Sequence, residues 1–253
     1  MPNLTLNSKW HTWMPVYERS VGCSTLCLSA LAFYLMVTKT PRSARPFVKY
    51  FMLLQASLAL VDLNYCFFVC PLVLFPLNGM VCNGIFCTWF GFSGHVGNSS
   101  MFFAVMFMSV SVIFCFHYKY ISIGSMVDGQ TISRTKRIVF RIILFIVFLI
   151  PGILQMGRYR NLETGPAYVK NNFPSLYYLF ESGKYHVIAY DEELHPEYIQ
   201  AFGLVTLFIM LLSGLLGAFF VVSTFASLSK QSSLSEKTRE LQYKTMITLI
   251  VQV

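Results

Sequence analysis

The sequence predicts an all-α fold, a polytopic bundle of transmembrane helices, and three observations carry that expectation. Five apolar stretches each reach or exceed the roughly 20 residues needed to cross hydrocarbon. The chain is 55% hydrophobic and 16% aromatic but only 12% charged, whereas a water-facing globular surface draws on about a quarter charged residues. The short loops between the stretches alternate in basic charge, as loops on opposite sides of a membrane do.

The whole of 1–253 reads as a single transmembrane domain. Its spans are expected at about 17–37, 50–75, 85–116, 138–156 and 199–228, with the start of a sixth at 245–253, so the bundle is expected to be truncated within helix six. The first 16 residues hold Lys9 but no apolar core followed by a small-residue cleavage site. The first span is therefore expected to act as its own signal anchor. Asn3-Leu4-Thr5 is an N-glycosylation sequon ahead of it, while the second sequon, Asn98-Ser99-Ser100, falls inside span three and out of reach.

Orientation follows from the Lys and Arg count. The first loop has Lys39, Arg42, Arg45 and Lys49, and the second has Lys119, Arg134, Lys136, Arg137 and Arg141 against Asp128. The third loop on that side adds Lys230, Lys237, Arg239 and Lys244 against Glu236 and Glu240. Basic excess marks the cytoplasmic side, which places the amino terminus outside. The net charge of +8 is then a sign of topology, and no nucleic-acid partner is needed to explain it.

Span two carries Asp62, the one acid near the middle of a span. A carboxyl at membrane depth faces the bundle and is read either as a helix-coupling switch or ion site, or as a hydrogen-bonded group that glues helices. Pro71 and Pro76 flank the outer end of this span. Of seven cysteines, Cys23, Cys27, Cys66, Cys70 and Cys115 lie at membrane depth as small packing residues. Cys82 and Cys87, before span three, are placed to close a short disulfide on the oxidising side.

Span three holds the densest polar patch. At 100° per residue His95, Asn98 and Ser99 share one face, where they are expected to line a ligand pocket open to the outside. Gly91, Gly94 and Gly97 let neighbouring backbones approach closely. At its inner end stand Phe116, His117, Tyr118, Lys119 and Tyr120; taken alone, the lysine and tyrosines are ordinary interface anchors. Pro151 is expected to kink span four. Beyond it, 158–197 is rich in aromatics and ends in Asp191-Glu192-Glu193. That loop is either a lid over the bundle or a solvated segment with tyrosines at the interface. In span five, Gly203, Gly214 and Gly217 point to close helix packing.

Enzymatic function is not expected. His11, His95, His117, His186 and His195 are scattered, with neither metal-ligand nor nucleophile-base spacing. No phosphate-binding glycine loop is present, so neither cofactor nor metal is expected.

Several segments together carry a resemblance: Lys39-Thr40-Pro41-Arg42-Ser43 in the first inner loop, Tyr50-Phe51-Met52-Leu53-Leu54-Gln55 leading to Asp62, Cys70-Pro71-Leu72-Val73-Leu74-Phe75-Pro76 leaving span two, and Cys115-Phe116-His117-Tyr118-Lys119-Tyr120. With these the chain resembles the nematode serpentine chemoreceptors, most similar to class I or the related class H. The resemblance implies a seven-helix, G-protein-coupled receptor for small environmental molecules in the membrane of sensory neurons or cilia. Its implied partners are a small-molecule ligand, a heterotrimeric G protein, membrane lipid and a second receptor in a dimer. It also implies that His117, Tyr118, Lys119 and Tyr120 occupy the G-protein contact, where heptahelical receptors keep an acid-Arg-aromatic switch whose acid and Arg are absent here. The rival readings are a transporter or channel component, and a non-signalling partner of intact receptors.

Overall fold

A computed structural model of the chain describes residues 8–40, 45–127, 133–183, 185–230, 240, 242–244 and 246–247. Five helices in it are long and apolar enough to cross a membrane. They are α1 (Ser8–Thr38), α2 (Arg45–Leu63), α4 (Gly94–Val127), α5 (Arg134–Gly157) and α8 (Pro196–Lys230). The central one is α4, which packs on α2, α5 and α8, while α1 leans on α2. Their shared core joins Leu54 of α2, Val110 and Ile113 of α4, Phe148 of α5 and Phe220 of α8. Outward faces stay apolar: Leu204, Leu207, Leu211 and Leu215 of α8 and Ile142, Ile146 and Ile153 of α5 are exposed, as suits helices bathed in lipid. Of the expected sixth start at 245–253, only Met246 and Ile247 are described, and both are helical.

Two spans have different ends from those read in the sequence. The second does not run on to Phe75. It passes through a π-helical turn at Asn64–Val69 and stops at Cys70, whose φ of 45° is left-handed. Pro71, which cannot donate a helical hydrogen bond, then opens a strand. The third begins at Gly94 instead of Ile85. Ile85–Thr88 forms a separate short helix α3, and Gly91 with φ 66° turns the chain before α4 starts. At its other end α4 continues past Phe116 to Val127.

Those corrections make room for a small sheet at one end of the bundle. Strands β1 (Pro71–Val73), β2 (Gly79–Cys82) and β3 (His186–Ala189) pair antiparallel in the order β1-β2-β3, with Val81 opposite both Leu72 and Val187. The sulfurs of Cys82 and Cys87 are bonded, which ties β2 to α3. Among its described residues the connection from α5 to α8 is a folded layer. After a 3-10 turn at Arg158–Leu162 come α6 (Gly165–Asn172), a second 3-10 turn, α7 (Tyr178–Glu181) and β3. A second core of Leu74, Val81, Val169, Leu176 and Leu179 fixes this layer to the hairpin. Of the two readings of 158–197, the packed layer over the bundle matches this arrangement.

Candidate ligand site

Where the sheet meets the mouths of α4, α5 and α8, one phenol gathers the polar groups. Tyr190 follows β3 directly, and its backbone N–H donates to the Asn78 carbonyl at 2.9 Å. The next residue, Asp191, locks the turn. Its carboxylate accepts from the Thr164 hydroxyl (2.7 Å) and from the backbone N–H groups of Glu193 (2.9 Å) and Leu194 (3.2 Å), while Asn161 holds its backbone from both sides. A short polar side chain bonding the backbone two and three residues on is how such turns are fixed.

So placed, the Tyr190 side chain is 1% exposed and its hydroxyl meets three partners. Asn98 Nδ2 donates to it at 3.2 Å and Gln155 Nε2 at 2.9 Å. The third is His95 Nδ1 at 2.8 Å. The other ring nitrogen, Nε2, lies 3.2 Å from the Met156 carbonyl, which can only accept. In the neutral ring Nε2 therefore carries the proton, and Nδ1 accepts the hydroxyl proton of Tyr190. One donor and two acceptor positions are thus all used. Burial pushes the Tyr190 pKa up from 10.0, against the lowering effects of the Asn98 hydrogen bond, the Arg158 charge and the Gln155 hydrogen bond.

Gln155 extends the network, accepting from Arg158 Nη1 at 3.1 Å. The Arg158 guanidinium carbon lies 4.2 Å from the Tyr190 ring centroid and 5.2 Å from that of Phe202, within the range of cation–π attraction. Beside these groups is a cavity of about 410 Å³, walled by β1 and β2, α4, Arg158, Tyr190 and the start of α8. That volume is within the range usual for small-molecule sites. Val73, Leu77, Phe102 and Ile199 give it apolar walls, and Asn78, Asn98, Tyr190 and Arg158 supply polar points.

The sequence-derived candidates separate at this point. Asn98 lines the cavity, His95 stands behind Tyr190, and the Ser99 hydroxyl is buried without a hydrogen-bond partner among the described residues. Asp62 is half-buried on α2. It is Asn64, two residues further on, that joins α2's π-helical end to α4, by accepting from the Ser100 hydroxyl at 2.9 Å. Asn3 lies outside the described residues.

At the opposite end, His117 and Lys119 turn into the bundle, both 7% exposed. His117 packs on Phe140 and Phe220. Lys119 Nζ sits 4.3 Å from the Phe47 ring and donates to Gln242 Oε1 at 3.3 Å. Tyr118 stacks on Tyr50 with centroids 4.7 Å apart, and Arg141 Nη1 donates to the Tyr50 hydroxyl at 2.6 Å. Tyr118 and Tyr120 keep part of their surface exposed.

Arg158, Gln155 and Tyr190 were not singled out in the sequence as site residues. The available signal was a basic residue ending an apolar stretch, and a tyrosine directly before an acidic run. Neither reveals a contact 35 to 95 residues away.

The family model described as "Serpentine type 7TM GPCR chemoreceptor Sri" matches residues 5–253. No curated protein matches the chain.

Proposed function

The chain belongs to the Sri family of serpentine seven-transmembrane G-protein-coupled chemoreceptors, and on that premise we propose that it detects a small environmental molecule in the cavity beside Tyr190. The coarser part rests on the family alone: this is a multi-pass membrane receptor. The observation that supports the finer reading is the cavity itself, with apolar walls, a few convergent polar groups and a rigid network behind them. This is the usual composition of a ligand site.

In this reading the sheet end faces outside, where the Cys82–Cys87 disulfide is chemically at home, and the amino terminus and Asn3 share that side. Ligand touches Asn98, Tyr190 and Phe202. His95 and Ser99 act from behind, His95 through its bond to the phenol. Because α4 carries Asn98 at one end and His117 to Tyr120 at the other, a small shift of this helix links the two ends. Heterotrimeric G protein docks at the basic end in sensory neurons or their cilia. Tyr118 and Tyr120 are the accessible members of that cluster, and Lys119 is freed when its packing on Phe47 opens. Asp62 tunes the coupling between α2 and its neighbours.

The test is a dose-response measurement in cells expressing the full product of the native transcript together with a G protein. A panel of small odorants and water-soluble metabolites is read by second-messenger output. Asn98→Ala and Phe202→Ala are expected to shift the midpoint of an active compound by about tenfold, the loss of one or two good contacts. An unchanged dose-response at normal surface level removes the cavity as the ligand site.

A further inference from the structure

The cavity wall carries one formal charge, and it is positive. Of its lining residues only Arg158 is ionic, and that side chain is 3% exposed. Its Nη1 is spoken for by Gln155. Its Nε and Nη2 are buried with no hydrogen-bond partner among the described residues. Among the described residues no carboxylate stands within ion-pair distance of it, and Glu192 acts on its charge only from further away. Asp191 is committed to its turn, and Glu192 and Glu193 are exposed. A buried cation is costly to keep unless an opposite charge and hydrogen bonds meet it.

The two unpaired nitrogens are not an arbitrary pair. Nε–H and the Nη2–H on the same side make up one edge of the planar guanidinium, two parallel donors spaced to meet the two oxygens of a carboxylate.

 The rings of Tyr190 and Phe202 lie at 4.2 and 5.2 Å from the guanidinium carbon, which leaves this buried edge as the part of the group with no partner among the described residues. The rest of the wall is mainly apolar, with Val73, Leu77, Met80 and Ile199.

We propose that the ligand is a small carboxylate with an apolar tail, its two oxygens held by Nε and Nη2 of Arg158 once the side chain turns that buried edge to the cavity, and its tail against Val73, Leu77 and Ile199. This rests on the cavity being the ligand site and adds the charge and shape of what fills it. Asn98 positions the carboxylate from the side. Neutral molecules of equal length leave the cation unpaired and bind less well.

The chain is tested in lipid nanodiscs at neutral pH with straight-chain carboxylates from ethanoate to decanoate, each beside the primary alcohol of the same length. Binding is read as a shift in the thermal midpoint. At least one carboxylate is expected to bind about tenfold or more tightly than its alcohol, the scale of a charged hydrogen-bonded contact. Arg158→Gln is expected to abolish that preference, and Arg158→Lys, which keeps the charge and loses the fork, to keep part of it. If Arg158→Gln does not fold, Arg158→Lys decides, since unchanged carboxylate affinity in it overturns the proposal. Gly203→Leu, which fills the cavity, separates the two levels. Acids and alcohols that bind alike, and are both weakened by Gly203→Leu, leave the cavity as the ligand site and overturn the carboxylate. Binding that is absent for every probe, or indifferent to Gly203→Leu, overturns the cavity together with the carboxylate.

Discussion

Tyr190 holds three side chains from two helices on one oxygen, and its hydroxyl has no capacity left over. Removing that oxygen strands an imidazole nitrogen and two amide donors at a buried site. Tyr190→Phe is therefore expected to cost about 1–3 kcal/mol, seen as a lower thermal midpoint in detergent or nanodiscs. Alkali gives an independent check with a defined sign. Burial raises the phenol above its ordinary value of 10.0, so near pH 10 the unfolded chain ionises while the folded one does not. The stability that this tyrosine contributes is fully present below pH 10 and is lost as pH rises through the folded value. The gap in midpoint between wild type and Tyr190→Phe is expected to narrow above pH 10; a constant gap would show that the phenol is not held neutral by the fold. Half of this cluster was legible in the sequence. His95 and Asn98 share a helical face, which periodicity reveals, but the oxygen they meet comes from a loop more than ninety residues away, and no local pattern encodes that distance.

At the scale of elements, hydropathy found the five long helices and misplaced their ends where backbone geometry decides. Cys70 in the left-handed region followed by Pro71 ends one helix early, and Gly91 separates α3 from α4; apolar residues continue through both breaks, so the hydropathy signal does not register them. The three-stranded sheet escaped for a related reason. Each strand is only three or four residues long, too short for alternation to stand out from the apolar background. One glycine at this junction is a direct test. A Cβ on Gly84 would run into the carbonyl oxygen of Phe68, where α3 is tied back to the end of α2's π turn by the Gly84 N–H on the Val69 carbonyl. Backbone cannot swing aside as a side chain can, so Gly84→Ala is expected to lose about 1–3 kcal/mol. Gly214→Ala in α8 meets nothing within 4 Å and is expected to be neutral or to gain up to about 1 kcal/mol from helix propensity. Equal thermal midpoints for the two variants would mean that the α2–α3 junction is looser than its packing implies.

For the whole molecule, the two ends differ in charge and chemistry, and the proposed orientation rests on that difference. The sheet end carries the disulfide and exposes Phe75, Trp89 and Phe90, rings suited to the headgroup layer. The other end carries Lys39, Lys49, Arg134, Lys136, Arg137 and Arg141 with few acids among them, and a basic excess is retained in the cytoplasm because translocating it is unfavourable. Both signals favour the proposed orientation. Single cysteines at exposed positions read the outcome: Glu181→Cys on α7 at the sheet end, and Ser125→Cys near the far end of α4. A membrane-impermeant maleimide applied to intact cells is expected to label Glu181→Cys and to leave Ser125→Cys unlabelled until the cells are opened. The native Cys23 and Cys27, though exposed, lie on a lipid-facing helix within the first span and are shielded from a charged reagent, so the unsubstituted chain supplies the blank. Reversed labelling would place the cavity mouth in the cytoplasm, and a receptor for environmental molecules cannot work from that side.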